Sequence, residues 1–468
     1  MIKVRKLAII GGGPSGIAVY LEAIKSLHMD IETITIFDPQ GLANGFSFNS
    51  CLTSTLTNTS IGTTSLHADD KLDYYKWFLD RGSHKSILPS DFVSRSLFRD
   101  YCKDRVEQSS LFAASFKCET VVKQIRVTSM SMVDQKICLR SDDGNSYLFD
   151  AVVVATGVEQ LVPLALRDSD SSNVVKVAYP ETNFLDKVTD NSQVLVLGSK
   201  LSAIDVSIAI YEHSANAEVT MISKSGELPS VRSSLLIRAE NGNNNWLKAF
   251  ISSSQHQIKD IQQQLELDIK KCKTNSNIWQ DFIGEFADDI NERWPKLSEQ
   301  ERLDELKCYK VFMKRFVSSF PLSNAEKLLS MIKNNKLKVI AGDIDRDLKI
   351  NDDSISCVQK GDTLDFDIVI NATGVTNKPI SKEMIIALEG KGVSINELGG
   401  LKINSHTMRV ESEDNQVPIY VCGGPAQGEL LITNYVRSSV VQAKKIVMDI
   451  ANIIKQGHKI EEVECGKV

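Results

Sequence analysis

Leu7-Ala-Ile-Ile-Gly11-Gly-Gly13-Pro14-Ser15-Gly16-Ile-Ala opens this chain, and Val194-Leu-Val-Leu-Gly198-Ser199-Lys200-Leu-Ser202-Ala203-Ile-Asp205 follows about 187 residues later. Each sets an apolar strand before a small-residue bend and a helix-forming run after it, the turn that cradles a dinucleotide pyrophosphate. In the first copy Gly11 permits the tight bend, Gly13 lets the backbone approach the pyrophosphate, and Gly16 lets the helix pack on the sheet. The helix start beyond Pro14 and Ser15 offers free N–H groups and a partial positive charge to phosphate. Asp38, closing the next strand at Thr33–Phe37, stands where an acid accepts hydrogen bonds from ribose hydroxyls. Two such turns predict one cofactor that stays bound and a second that comes and goes.

The second copy departs from the pattern. Gly198 is kept and Ala203 fills the third position, but Lys200 stands where the second glycine belongs. A side chain there is expected to crowd the pyrophosphate, and a left-handed backbone would cost about 1–2 kcal/mol. An ammonium beside phosphate returns about 1.5–3 kcal/mol, so the two effects nearly cancel. After the next strand, Ser223 replaces the ribose acid, with Lys224 beside it and Arg232 nearby. That set suits a 2′-phosphate better than a hydroxyl, so NADPH is expected and NADH less so.

The bulk properties narrow the remaining classes. The chain has 468 residues, 42% hydrophobic and 24% charged, with net charge −6. That length exceeds a single core and fits two or three domains. Lysine and arginine are scattered rather than gathered on one face, which argues against nucleic acid. Nine cysteines include no Cys-x-x-Cys pair, so neither a metal site nor a dithiol centre is expected. A reducing, cytoplasmic setting follows. No apolar run approaches the length of a membrane span, so no membrane partner is expected.

Along the chain, a strand–turn–helix–strand unit opens each half. A hairpin is expected around Asp142–Asn145, and buried strands at Ala151–Val154, Leu337–Ile340, Ile355–Gln359, Ile368–Ile370 and Ile419–Val421. Between about 236 and 320 the sequence becomes polar and helical. One apolar stripe runs Ile258, Ile261, Leu265, Ile269, Cys272; another runs Trp279, Phe282, Phe286, Ile290, Trp294. Ser298 and Glu301 form a capping box for a third helix reaching Phe316. Such stripes are ordinary buried faces, and the insertion reads equally as a cap on a substrate cleft or as a homo-oligomer contact. A last helix is expected over Leu430–Ile454.

Taken together, these residues resemble the two-Rossmann flavoproteins of the FAD-NAD(P)-binding oxidoreductase family. Thr33 to Pro39, Leu56 to Thr59, Ser65 to Phe78, Val93 to Tyr101 and Gly423 to Leu430 carry the likeness beyond the glycines. The resemblance implies an α/β fold of two Rossmann-like dinucleotide-binding domains, each in three ββα layers. It divides the chain into 1–185 for FAD, 186–335 for NAD(P) with the helical insertion at about 236–320, and 336–468 returning to the FAD domain. The Ala155-Thr156-Gly157 and Ala372-Thr373-Gly374 segments resemble the crossovers between domains. Gly424 resembles the position near the flavin ribityl or pyrophosphate where many relatives carry an acid, and the helix after Leu430 would aim its positive end at the flavin.

The same layout is similar to N-hydroxylating and other single-component flavin monooxygenases. There NADPH reduces the flavin, and one atom of dioxygen reaches a small substrate, an amine among the candidates. The flavin supplies the difficult chemistry and the protein supplies orientation and exclusion of water. Asn58 is the flavin-facing polar residue this resemblance offers; no catalytic acid–base pair is evident. A FAD-dependent dehydrogenase or reductase without oxygen insertion, and a non-enzymatic flavin scaffold, are the alternatives.

Overall fold

The computed structural model describes residues 4–82, 87–158, 160–234, 260–274, 279–351, 354–359, 361–375, 393–396, 398–412, 418–433 and 435–465. Two five-stranded parallel sheets organise it, and they are built to one plan. In the first, the order is Ile419–Val421, Ala151–Val154, Lys6–Ile10, Thr33–Phe37, Glu119–Lys123. In the second, it is Val174–Val175, Ile368–Asn371, Gln193–Leu197, Glu218–Ser223, Leu337–Ala341. The strand that feeds each glycine turn is central, so its residues are apolar on both faces: Leu7, Ala8 and Ile9, like Val194, Leu195, Val196 and Leu197, are fully buried. Parallel strands covered on both sides read as continuous apolar runs rather than alternating ones.

Each sheet has helices on one face and a three-stranded antiparallel sheet on the other. The strands Val127–Val133, Lys136–Ser141 and Ser146–Phe149 cover the first. Leu348–Asn351, Ser354–Gln359 and Asp362–Phe366 cover the second. This is the expected three-layer ββα arrangement, made twice. The helix Pro14–Leu27 packs along the long final helix Val436–Cys465, which brings the end of the chain back to the first unit.

Strand pairing corrects the expected boundaries at 185 and 335. Val174–Val175, Leu337–Ala341 and Ile368–Asn371 all belong to the second sheet, so the second unit begins earlier and ends later than expected. A buried apolar run suits either sheet, and only its hydrogen-bonding neighbour assigns it. The last helix is also corrected: it starts at Val436, and Leu430 to Thr433 form an irregular segment before it.

The insertion has two parts. Helix Ile261–Lys273, N-capped by Asp260, buries Leu265, Ile269 and Cys272 in the core of the second unit. Helices Trp279–Arg293 and Glu299–Phe312 build a separate aromatic core from Trp279, Phe286, Trp294, Tyr309 and Phe312, joined by Ile432. The Ser298–Glu301 capping box is present, and a π-turn over Met313–Val317 carries the third helix on toward Pro321. The Ile258 end of the first stripe lies outside the described residues.

This second part is fastened to the returning chain. Trp294 Nε1 donates to the Gly428 carbonyl at 2.7 Å, Arg302 pairs with Glu429 at 3.1 Å, and Asn291 Nδ2 and Oδ1 bracket the Ile432 backbone at 2.7 and 2.9 Å. Trp294 is fully buried. Trp294→Ala is therefore expected to cost about 3–5 kcal/mol, read as a lower urea midpoint with faster proteolysis inside residues 279–317.

Candidate dinucleotide sites and the chamber between them

Both glycine turns share one local geometry. Gly11 has φ +112° and Gly198 has φ +114°, a region that L side chains avoid. A Cβ on Gly11 would lie 2.2 Å from the Ala155 carbonyl oxygen, and one on Gly198 would lie 2.5 Å from that of Ala372. Each turn thus sits directly on the crossover that leaves the adjacent strand. A Cβ on Gly16 would meet the Gly11 oxygen at 1.9 Å, the close helix–strand approach expected of that position; Ala203, the corresponding residue of the second turn, is fully buried.

Gly13 differs in kind. Its φ is −73°, which any residue adopts, and a Cβ there would meet nothing nearer than the Gly45 Cα at 4.0 Å. Glycine at this position therefore leaves room outside the backbone. The first intrahelical bond runs from Ile17 N to Gly13 O at 3.0 Å, so the N–H groups of Ser15 and Gly16 open the helix without an intrahelical acceptor. Asp38 braces the turn: its Oδ2 accepts from Gly12 N at 2.7 Å and its Oδ1 from Gln40 N at 2.8 Å. Burial pushes this carboxyl up from its ordinary value, opposed by those two bonds. An open turn, free helix N–H groups and an adjacent acid fit an adenine dinucleotide.

Ser15 is turned toward the final helix. Its Oγ lies 2.8 Å from Ser439 Oγ, and Gln442 Oε1 accepts from Gly423 N at 2.7 Å. Both are buried polar residues: Ser439 fastens the final helix to the first turn and Gln442 fastens it to the Gly423 bend; they lie on an amphipathic helix and carry no sequence signal. Gly424 packs on the crossover, where a Cβ would fall 2.3 Å from the Gly157 oxygen. No acidic side chain fits there without moving the backbone. The crossovers also pair with each other: Leu161 N donates to Gly374 O at 3.0 Å, and Gln160 bridges to Val375. Thr373 Oγ1 bonds Asn371 Oδ1 at 2.7 Å and the Leu161 carbonyl at 3.2 Å, so its hydroxyl is engaged within the crossover, whereas Thr156 is exposed.

In the second turn Lys200 is the residue before helix Leu201–His213, with φ −109° and ψ −161°. The expected left-handed strain is absent, because this position is extended in both turns. Lys200 instead stands, exposed, at the position of Gly13, and Ser202 is the second residue of the helix. The Ser223 cluster is only partly assembled. Ser199 Oγ lies 2.7 Å from Ser223 Oγ and donates to the Glu227 carbonyl at 2.6 Å, tying the loop down; Lys224 is exposed at its edge. Arg232 lies elsewhere: its Nη1 donates to the Asn58 carbonyl at 2.8 Å, between the units. The strand Val231–Arg232 pairs with Phe320–Pro321, and this pairing carries the guanidinium away from Ser223.

The units meet at a buried polar network. Arg95 Nη2 contacts Asp205 Oδ2 at 2.7 Å, and Tyr179 OH donates to the same oxygen at 3.1 Å. Burial pushes the Asp205 carboxyl up to about 6, against the pull of Arg95. Nearby, burial pushes the Glu181 carboxyl up, but hydrogen bonds from Ser50, Cys51 N and Thr55 outweigh it and hold it below its usual range. Cys51 Sγ lies 3.2 Å from Glu181; burial and that carboxylate raise the thiol, which keeps it protonated.

Two cavities lie along this junction. The larger, about 610 Å³, is lined by Thr59, Ser60, Thr63, Thr64 and Phe92 of the first unit, Arg232 of the second, Gln280, Ile283 and Asn291 of the insertion, and Tyr435 to Lys445 of the return. The smaller, about 320 Å³, holds Asn58 and Lys200 with Lys314, Met313 and Val317 of the insertion. Asn58 is thus beside the second turn's lysine. The insertion walls both cavities and so has the position of a cap. Among the described residues, no helix is long and apolar enough to cross a membrane and no group of three metal-ligating side chains occurs.

Comparison with known proteins agrees with this architecture. Residues 8–159 match the FAD-NAD(P)-binding family model. No curated protein sequence matches. Among solved structures, the ornithine N-hydroxylase of Kutzneria sp. 744, solved with reduced FAD, NADP+ and L-ornithine, aligns with TM-score 0.65 at 14% identity, covering 96% of this chain and 99% of that one. The ornithine hydroxylase of Pseudomonas aeruginosa aligns with TM-score 0.63 at 14% identity, over 95% and 98%. The bacillithiol disulfide reductase of Staphylococcus aureus aligns with TM-score 0.57 at 14% identity, over 96% and 98%. Residues 8–159 thus match an FAD-NAD(P)-binding domain, and the chain as a whole has the fold of the two-domain FAD/NAD(P)-binding flavoproteins it aligns with.

Proposed function

We propose that this chain is an FAD-dependent oxidoreductase that takes electrons from NADPH and places one oxygen atom of dioxygen on a small substrate. The observation that carries this reading is the 610 Å³ cavity between the two units, walled from above by a helical cap that is fastened to the returning chain. FAD, when bound along Gly11–Gly16 and Asp38, supplies electron storage and oxygen activation. The protein's part is to hold the cofactor, position the substrate among Thr59, Ser60, Thr63 and Arg232, and exclude water with the cap. One NADPH, one proton and one dioxygen then give NADP+, water and the oxygenated substrate.

A dithiol route has little support from the cysteines. The eight described are all free, and Cys51, the exposed one near the junction, is held as a thiol. The likeness to a disulfide reductase keeps a second reading in view, reduction of a substrate without oxygen insertion.

Oxygen bookkeeping separates the two. With the yellow holoenzyme and NADPH, adding a substrate amine is expected to raise oxygen uptake while peroxide falls well below one per oxygen consumed. Full peroxide recovery with every amine tested overturns oxygen insertion. Failure of NADPH to bleach the flavin under anaerobic conditions overturns the electron route itself.

A further inference from the structure

The polar lining of the large chamber is mostly closed upon itself. Thr64 Oγ1 donates to Thr59 Oγ1 at 2.8 Å, and the Ser60 and Thr63 hydroxyls lie 3.0 Å apart. Gln280 brackets Ser233, accepting from its N at 2.6 Å and donating to its carbonyl at 3.1 Å. Lys445 donates to the Ser405 carbonyl at 2.9 Å, and Glu292, the acid on the wall, faces Lys296 at 3.4 Å. Arg232 is different. Its Nη1 holds the Asn58 carbonyl, but its Nε is buried without a hydrogen-bond acceptor, and among the described residues no carboxylate pairs with it. A guanidinium keeps its proton, so this half-buried charge lacks the partner that ordinarily offsets desolvation. Nε–H and Nη2–H form one edge of the guanidinium, the edge that a carboxylate takes with two parallel bonds. The Asn58 bond leaves that edge open.

We propose that this chamber takes an amphipathic carboxylate and that Arg232 anchors its head. The inference rests on the reading that the chamber holds the substrate, and it names the substrate's class. Away from Arg232 the wall is largely apolar: Phe92, Ile283, Ile432, Val436 and Val441 line it, and Tyr435 has its hydroxyl on the Val317 carbonyl at 3.0 Å. At about 610 Å³ the space accommodates a ring or a medium chain beyond the head, within the range of about 300–1,000 Å³ usual for small-molecule sites. Glu292 already faces Lys296 and lies in the field of Lys445, so it offers no spare negative charge to an ammonium on the body. An amine that accepts oxygen here is then one that stays uncharged, an arylamine rather than an alkylammonium. The pairing of Val231–Arg232 with Phe320–Pro321 fixes where the head sits.

Calorimetric titration of the full-length, flavin-loaded protein tests it, with benzoate, benzamide, acetate and L-ornithine as separate probes. Benzoate is expected to bind about ten- to a hundredfold tighter than benzamide, its uncharged isostere, the contribution of a charge-assisted contact. Acetate, which has the head without the body, is expected to bind more weakly than benzoate. So is L-ornithine, which carries an ammonium where the apolar body belongs. Arg232→Met is expected to lose the preference for benzoate over benzamide, and Arg232→Lys to keep part of it. The preference within one protein is the readout, so a loss of stability that weakens both probes alike does not imitate it. Benzamide within twofold of benzoate in the parent, or an unchanged preference in Arg232→Met, overturns the anchor. Acetate or L-ornithine binding as tightly as benzoate overturns the apolar body. A parent that binds none of the four overturns the class altogether. Should the preference depend on Arg232 while every carboxylate tested returns its oxygen wholly as peroxide, the anchor stands and oxygen insertion falls.

Discussion

Gly13→Ala is expected to leave the fold intact and strip it of flavin, whereas Gly16→Ala, three residues on, is expected to break the first unit. The two glycines look interchangeable in the motif but meet different surroundings. At Gly13 the backbone is extended and an added methyl meets nothing of the protein within contact distance, the Gly45 Cα lying 4.0 Å off. Its cost falls on a phosphate trying to reach the helix N–H groups. Each charge-assisted bond lost is worth about 1.5–3 kcal/mol, so retention is expected to fall about ten- to a hundredfold or more. At Gly16 the same methyl would stand 1.9 Å from a backbone oxygen. The helix must then lift off the strand, at about 3 kcal/mol or more. Absorbance of the purified proteins and urea unfolding of their flavin-free forms read the two effects separately. A colourless parent, or a Gly13→Ala protein that keeps its flavin, removes the assignment of the first turn.

The second large effect is expected at the junction. Arg95→Leu strands Asp205 in a buried site with only the Tyr179 hydroxyl, and breaking a buried pair this way costs about 3–5 kcal/mol. The pH dependence identifies the cause. The folded-state carboxyl of Asp205 is already raised to about 6 by burial, and losing the guanidinium raises it further. A group with a raised folded value favours the folded state below its unfolded value near 4, and that contribution is lost as pH rises through the folded one. The deficit of Arg95→Leu relative to the parent is therefore expected to be largest at pH 7.5 and to narrow toward pH 5. Denaturant midpoints at the two values measure it. A deficit independent of pH places the damage in lost packing instead of the stranded carboxylate.

Much of the architecture is legible without coordinates, because local patterns carry it. The strands at Lys6–Ile10 and Gln193–Leu197 announce themselves as short apolar runs ending in glycine, and the capping box at Ser298 marks a helix start by two residues alone. The crossovers were legible only through the family resemblance, each a buried run ending in Ala-Thr-Gly. What stayed hidden depended on partners distant in sequence. Whether Ile368–Asn371 belonged to the first or second sheet could be decided only by its pairing with Gln193–Leu197. Arg232 looked like part of a phosphate cluster because it follows Lys224 by eight residues, but the pairing of Val231–Arg232 with Phe320–Pro321 points it at Asn58 instead.

Lys200 shows both sides. In the sequence it is a defect in a glycine motif, with a conformational cost to be charged against it. In the structure its backbone is extended and unstrained, and a lysine from 114 residues further along shares its cavity. By itself the sequence determined that two strand–bend–helix turns exist, since a bend between a buried strand and a helix is specified by the residues that make it. Only the tertiary structure decided what surrounds them: which strands flank each turn, which charges meet at the second, and what the helical insertion covers. Those outcomes depend on contacts between segments far apart in the chain, and no local pattern encodes them.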